Sequence, residues 1–326
     1  MKHSSLLLGT AALLLSGSAC TRLEPAPEHS ADRSAVLSIR LEDPGATRAG
    51  ADTYNTKTIA DLTVLAFHPD GTLDSGGRTA ENSLTLQLTP ETGKRIYVLV
   101  NSPASTATLS RESDVKALKT SLSAHTSGHF PMAWSGTVSI SGNQNLDIEA
   151  ARLATQVRID KITNRSGHDL TVRAVYLTNA ATDGVPWFSP DSYTPSAWSN
   201  KMRYVSSSLD PYLYESVKSG KIADGKALSR TFVFFACPNP TAQDTFAGSW
   251  TPRKTRLVIE AEMEGVTYWY PFTLDNLLSN HRYVITNLNI TRPGSVHPDI
   301  PVDPRDLQVS AVLASWSGDI RYTDPI

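Results

Sequence analysis

The chain has 326 residues, a length that suits about two domains. A formal net charge of -2 supplies no concentrated basic face, which argues against nucleic acid as a partner. Only 19% of residues are charged and 40% are apolar, and 19 glycines, 20 prolines and scarce helical periodicity complete the profile of an all-β surface protein rich in turns.

Residues 1–20 read as an export signal. Lys2 supplies a positive start, an apolar run extends from Leu6 to Leu15, and Gly17, Ser18 and Ala19 precede Cys20. The run is too short to span a bilayer as a mature helix. The segment resembles a bacterial lipoprotein signal, in which Cys20 becomes the lipidated first residue. An ordinary secretory signal with a coincidental cysteine is the other reading. Several acyl chains on one cysteine anchor a protein stably. With Cys20 taken by lipid, Cys237 has no partner within the chain; it follows an apolar run and reads as a buried structural thiol.

Residues 21–33 are polar and contain proline, as a flexible tether would. Over 34–41 the residues Ala35, Leu37, Ile39 and Leu41 alternate onto one face, with Val36 opposite, and predict a strand. Asp43-Pro44-Gly45 is a turn signal. The small, polar residues 46–50, with Arg48 among them, form the kind of exposed loop that proteases cut. Strands are predicted over 59–67, 83–88 and 95–101. Val115, Leu118 and Leu122 recur at spacings of three and four and predict a helix over 114–122. Residues 138–140 and 146–148 read as a hairpin about Gly142-Asn143. Alternation resumes through 153–162, and a domain boundary is placed near 150, giving domains of 49–150 and 151–326.

The second half carries predicted strands over 170–177, 231–236, 256–263, 268–272 and 283–290. The clearest hairpin joins 256–263 to 268–272 through Glu264-Gly265. The aromatic, polar stretch 185–214 reads as an elaborated loop. A Pro-rich connector, 297–304, leads into a last strand over 307–316. There Leu307, Val309, Ala311 and Leu313 share one face, and Val312 and Trp316 lie on the other. A short segment, 320–323, follows.

Catalytic signatures are not found. His125 and His129 have the spacing of helical zinc ligands, but Gly128 and the Thr/Ser neighbours make the segment a loop, and no metal or cofactor is expected. No G-x-S-x-G elbow, HExxH, P-loop or dinucleotide glycine pattern occurs, and no enzyme is expected. Glu260, Glu262 and Glu264 alternate along one strand, as on a solvated sheet face. Trp187 and Trp198 either meet a glycan or partner subunit, or pin the long loop to a sheet; composition leaves both open.

In their order and spacing these pieces resemble the fimbrillin family of Bacteroidetes-type (type V) pili, over most of the chain. The resemblance is carried by the leader ending at Cys20, the strand 34–41 and the loop 46–50 ahead of residues 59–65. It continues in Ala151-Arg152-Leu153-Ala154-Thr155-Gln156-Val157-Arg158-Ile159. Tyr268-Trp269-Tyr270-Pro271, His281-Arg282-Tyr283, Arg292-Pro293-Gly294-Ser295 and the final strand closed by Trp316 complete it. It implies two transthyretin-like β-sandwich domains in tandem with a few short helices, and a structural rather than enzymatic role.

The resemblance implies an assembly route at the matching positions of this sequence. The lipoprotein precursor, with signal 1–20 and propeptide 21–48, reaches the outer membrane. An arginine-specific protease of gingipain type cuts after Arg48, so that the mature subunit begins at Ala49. Arg33 and Arg40 are competing sites, Arg40 within a paired strand. Loss of 34–41 opens a groove, which the C-terminal strand of another fimbrial subunit fills through Leu307, Val309, Ala311, Leu313 and Trp316. Head-to-tail donation does not close on itself and yields an extracellular filament, here one serving adhesion. The expected role is a stalk subunit; a tip or anchor subunit and a glycan-binding surface lipoprotein are the alternatives.

Overall fold

The computed structural model of the protein describes residues 35–42, 58–103, 108–125, 129–201, 209–244, 250–300, 302 and 307–315. Strands dominate these residues; one five-residue α-helix, Glu112–Lys116, and three short 3-10 turns are the helical parts described.

The first half builds two facing sheets. One has the order Ser83–Leu88, Ala35–Leu41, Gln144–Ile148. The other runs Leu73–Thr79, Leu62–Phe67, Glu91–Val100, Met132–Ile140, Ala151–Arg152. Between them lies a core that includes Leu37, Ile39, Val64, Leu88, Ile96, Val98, Met132 and Ile148. The second half builds another pair. Its first sheet runs Ala227–Leu228, Ile162–Asn164, His281–Ile290, Thr155–Ile159, Phe232–Ala236, with Leu307–Ser315 along the other side of His281–Ile290. Its second runs Tyr214–Ser216, Leu170–Thr178, Arg256–Met263, Val266–Thr273.

Leu62–Phe67 is buried at every position, because its sheet has no wet face there. Leu62, Val64 and Ala66 enter the first core, while Leu65 and Phe67, with Tyr97 and Leu99 of the neighbouring strand, join the core of the second half. A strand covered on both faces reads as a continuous apolar run rather than an alternating one. At the expected Glu264-Gly265 hairpin both residues have positive φ, 52° and 80°, as a two-residue turn matching the strand twist demands.

Two local expectations are corrected. Residues around 138–148 do not form a hairpin: Gln144–Ile148 pairs in parallel with Ala35–Leu41, and Met132–Ile140 pairs with Glu91–Val100. Gly142-Asn143 carries the chain across the sandwich, so that Ile140 and Ile148 reach the same core from opposite sheets. The helix over 114–122 is also shorter than expected. It ends at Lys116, and Lys119–Thr120 then extends to pair with Val185–Pro186. The apolar spacing still buries Val115 and Leu122, but β-branched Thr120 takes a strand partner.

The long aromatic stretch is likewise more structured than a loop. Short pairings join Ala180–Ala181 to Trp198–Ser199 and Val185–Pro186 to Lys119–Thr120. Trp187 is 1% exposed and Trp198 8%, both in the core. Trp198 meets Trp250 edge-on at 5.6 Å, and the Trp250 indole donates to Asn179 Oδ1 at 3.0 Å. These rings pin the segment, which removes the exposed-aromatic basis for a glycan site at Trp187 and Trp198.

Candidate functional site

The site is the seat of the leading strand, Ala35–Leu41. This strand is not an edge but the middle strand of its sheet. On one side it pairs antiparallel with Ser83–Leu88, from Ala35 opposite Leu88 to Arg40 opposite Ser83. On the other it pairs in parallel with Gln144–Ile148, from Leu37 opposite Gln144 to Leu41 opposite Ile148. Its ends are tied as well: the Val36 N–H donates to Asn143 Oδ1 at 2.9 Å, Leu41 N–H to the Asn82 carbonyl at 2.9 Å, and Glu42 N–H to the Ile148 carbonyl at 2.9 Å.

The alternation in the sequence dictates which face is buried. Ala35, Leu37 and Ile39 are fully buried and Leu41 nearly so. Outward, the Ser38 hydroxyl meets the Thr85 hydroxyl at 3.1 Å and Arg40 is exposed. Full burial of two leucines and an isoleucine is worth on the order of 5–9 kcal/mol before ordering costs. That is comparable to the whole stability of an ordinary domain. Without this strand its sheet would have two facing rows of unpaired N–H and C=O groups bordering an apolar slot, the arrangement that accepts an added strand.

The closing strand, Leu307–Ser315, is held differently. Among the described residues it pairs antiparallel only with His281–Ile290, interrupted by an irregularity between Ile285 and Asn287. Among the described residues it forms the outer edge of that sheet. Leu307 is 5% exposed, Val309 is half-buried against the core, and Ala311 is exposed. Leu313 lies opposite Tyr283 in the register. The two strands that the sequence singles out are thus opposites: one enclosed on three sides, the other laid on an edge. Cys20, Arg48, Ala49 and Trp316 lie outside the described residues.

The chain ahead of the closing strand is anchored at Ser295 and, within the Pro-rich connector, at Asp299. Ser295 and Trp269 exchange backbone hydrogen bonds, both 2.8 Å, which covers the outer edge of Val266–Thr273. The Tyr270 hydroxyl donates to the Arg292 carbonyl at 3.0 Å. Asp299 then enters the interior, where Arg253 donates to it at 3.0 Å and Arg256 at 2.5 Å; Arg256 also meets Asp244 at 2.7 Å. Arg253, Arg256 and Asp299 are all 2% exposed or less.

Other chemistry-bearing residues are dispersed. Cys237 is buried, and burial pushes its thiol pKa far up, so it stays a protonated, inert thiol. Glu262 pairs with Arg173 at 2.6 Å and Glu264 with His168 at 3.0 Å on a solvated face. His129 is exposed while His125 is buried, so the two imidazoles occupy different environments. Burial holds the His125 pKa down at about 4, and neither ring nitrogen has a hydrogen-bond partner among the described residues.

His125 therefore makes the fold acid-sensitive. Between its ordinary value near 6.5 and about 4, the unfolded chain takes up a proton that the folded one refuses, so stability falls as pH falls through that window. The loss reaches roughly 3 kcal/mol by pH 4. Urea unfolding of His125→Leu across pH 7 to 4 is expected to show a shallower decline than the parent chain; equal slopes would contradict the assignment.

The fold class is all-β, built from two sheet pairs with short helical turns. No protein-family model matches the sequence, and no curated protein matches it. Solved structures do. A candidate cell adhesion protein from Bacteroides eggerthii superposes with a TM-score of 0.66 at 19% identity, covering 87% of this chain and 96% of that one. A fimbrilin from Porphyromonas gingivalis gives 0.61 at 14% identity, over 88% and 99% of the two chains. The tip fimbrial protein Mfa3 from Porphyromonas gingivalis, with its C-terminus truncated, gives 0.57 at 11%, over 86% and 99%. The chain has the fold of the Bacteroidetes fimbrillins and their cell-adhesion look-alikes.

Proposed function

We propose that this chain is a structural subunit of a cell-surface fimbria serving adhesion. It is exported as a lipoprotein precursor lipidated at Cys20, held at the outer membrane, cut after Arg48 by an arginine-specific protease, and polymerised by strand exchange with other fimbrial subunits. Residues 49–150 and 151–326 are its two mature domains. The observation that supports this best is the seating of Ala35–Leu41 as a middle strand whose side chains complete a core. A strand so placed, yet joined to its domain through a segment containing Arg48, is positioned to be replaced.

The donor in this reading is the C-terminal strand, through Leu307, Val309, Ala311, Leu313 and Trp316. Its single ladder among the described residues and exposed Ala311 make it the less costly strand to detach. A tip or anchor subunit is the second reading, supported by the fold likeness to Mfa3, described as a tip fimbrial protein.

Protease treatment separates these. A stalk subunit treated with an arginine-specific protease is expected to acquire Ala49 as its N-terminus and to form high-mass, detergent-resistant polymer. The Arg48→Ala chain is expected to remain uncut there and monomeric. A trimmed chain that stays monomeric at high concentration would assign it to the tip or anchor instead.

A further inference from the structure

We infer that the cut does not empty the groove: the severed leading strand stays seated and leaves only when another strand displaces it. This rests on the strand-exchange reading above and adds how that exchange is controlled.

Hydrolysis after Arg48 adds water across one amide bond, leaving a carboxylate on Arg48 and an amine on Ala49. That bond lies six residues beyond Glu42. Among the described residues, every interaction that holds the strand lies before it. The ladder to Ser83–Leu88, the ladder to Gln144–Ile148, the Asn143 contact to Val36, and the Leu41 and Glu42 amide bonds all precede the cut. So do the buried side chains of Ala35, Leu37, Ile39 and Leu41. Cutting removes a covalent tether, equivalent to an effective concentration in the ~mM range, and none of these contacts.

Departure into water would strip both neighbouring strands of their partners at once and wet an apolar slot. Displacement avoids that state, since each incoming residue can take over the pairing of the residue it replaces. The closing strand faces a lower barrier to leaving its own seat, because among the described residues it gives up one ladder rather than two. A cut subunit is therefore plugged and does not polymerise by itself, and growth requires an encounter with a donor strand.

The test uses the full exported chain, diluted to suppress encounters and cut with an arginine-specific protease that is then inactivated. Native mass spectrometry is expected to find the N-terminal fragment still bound, one per body. Release is expected to speed up with increasing concentration of a synthetic peptide covering 307–315. Ile39→Ala is expected to shed the fragment faster by roughly 30-fold or more, since truncating a buried isoleucine costs 2–5 kcal/mol.

Two results would overturn the inference: a folded, cut body already free of its fragment, or a release rate independent of peptide concentration. Failure of the strand-exchange reading looks different. In that case the fragment is retained, and neither the peptide nor any concentration of cut chain replaces it. Should the natural segment resist the protease, a chain carrying another protease's recognition sequence at 46–50 answers the same retention question.

Discussion

An uncut chain carrying Ile39→Asp is expected to lose its monomeric precursor state without any protease. Ile39 is fully buried and sits between two ladders, opposite Leu84 on one side and Leu146 on the other. The core it enters is formed by residues such as Val64, Ile96 and Val98, which offer a carboxylate no hydrogen bond. The substitution forfeits the isoleucine's burial, about 1.5–3 kcal/mol, and adds the larger cost of an unpaired buried charge. Against a typical domain stability of 5–15 kcal/mol, that ejects the strand or melts the sandwich. Size-exclusion chromatography is expected to show high-mass material in place of monomer, and the remaining folded chains to bind the 307–315 peptide without cutting. Arg40→Asp, one residue away on the exposed face, is expected to stay monomeric and to shift stability by less than about 1 kcal/mol. A monomeric Ile39→Asp chain with the parent's unfolding curve would refute the central role given to this strand.

How much of this could be read from the residues depends on how local each signal is. Ala35, Leu37, Ile39 and Leu41 announce a one-faced strand because alternation is written in seven consecutive residues. Its parallel partner, Gln144–Ile148, is about a hundred residues away. The nearer Gly142-Asn143 pair, a hairpin signal by composition, points to the wrong neighbour. The second covered face of Leu62–Phe67 was equally silent: an apolar run shows that both faces are dry, not what dries them. Trp187 and Trp198 could be placed only once their short pairings were visible, since an aromatic in a polar stretch looks the same whether it anchors or binds. For the closing strand, the alternation of Leu307, Val309 and Ala311 was legible. That Ala311 is exposed and the strand has one partner among the described residues was not, because these follow from its place at a sheet edge.

The least legible feature has one of the largest expected effects. Asp299 sits among prolines in what reads as a polar connector, and its partners Arg253 and Arg256 lie 46 and 43 residues earlier. Asp299→Ala is expected to cost roughly 3–5 kcal/mol, because it removes the carboxylate that two buried guanidinium groups share rather than because the ion pair is itself strongly favourable. Asp244 is 29% exposed and reaches Arg256, so it offsets only part of the loss. Replacing Arg253, Arg256 and Asp299 together with apolar residues of similar volume is expected to recover most of the stability, as buried ion pairs often can be exchanged that way. Chemical denaturation measures both changes. Hydrogen exchange adds a local readout: in the single variant the amide of Ser295, which donates to the Trp269 carbonyl, is expected to lose protection before the strand Val266–Thr273 does. If Asp299→Ala leaves that amide protected and the unfolding midpoint unmoved, the buried carboxylate does not anchor the connector, and the closing strand's point of attachment must lie elsewhere.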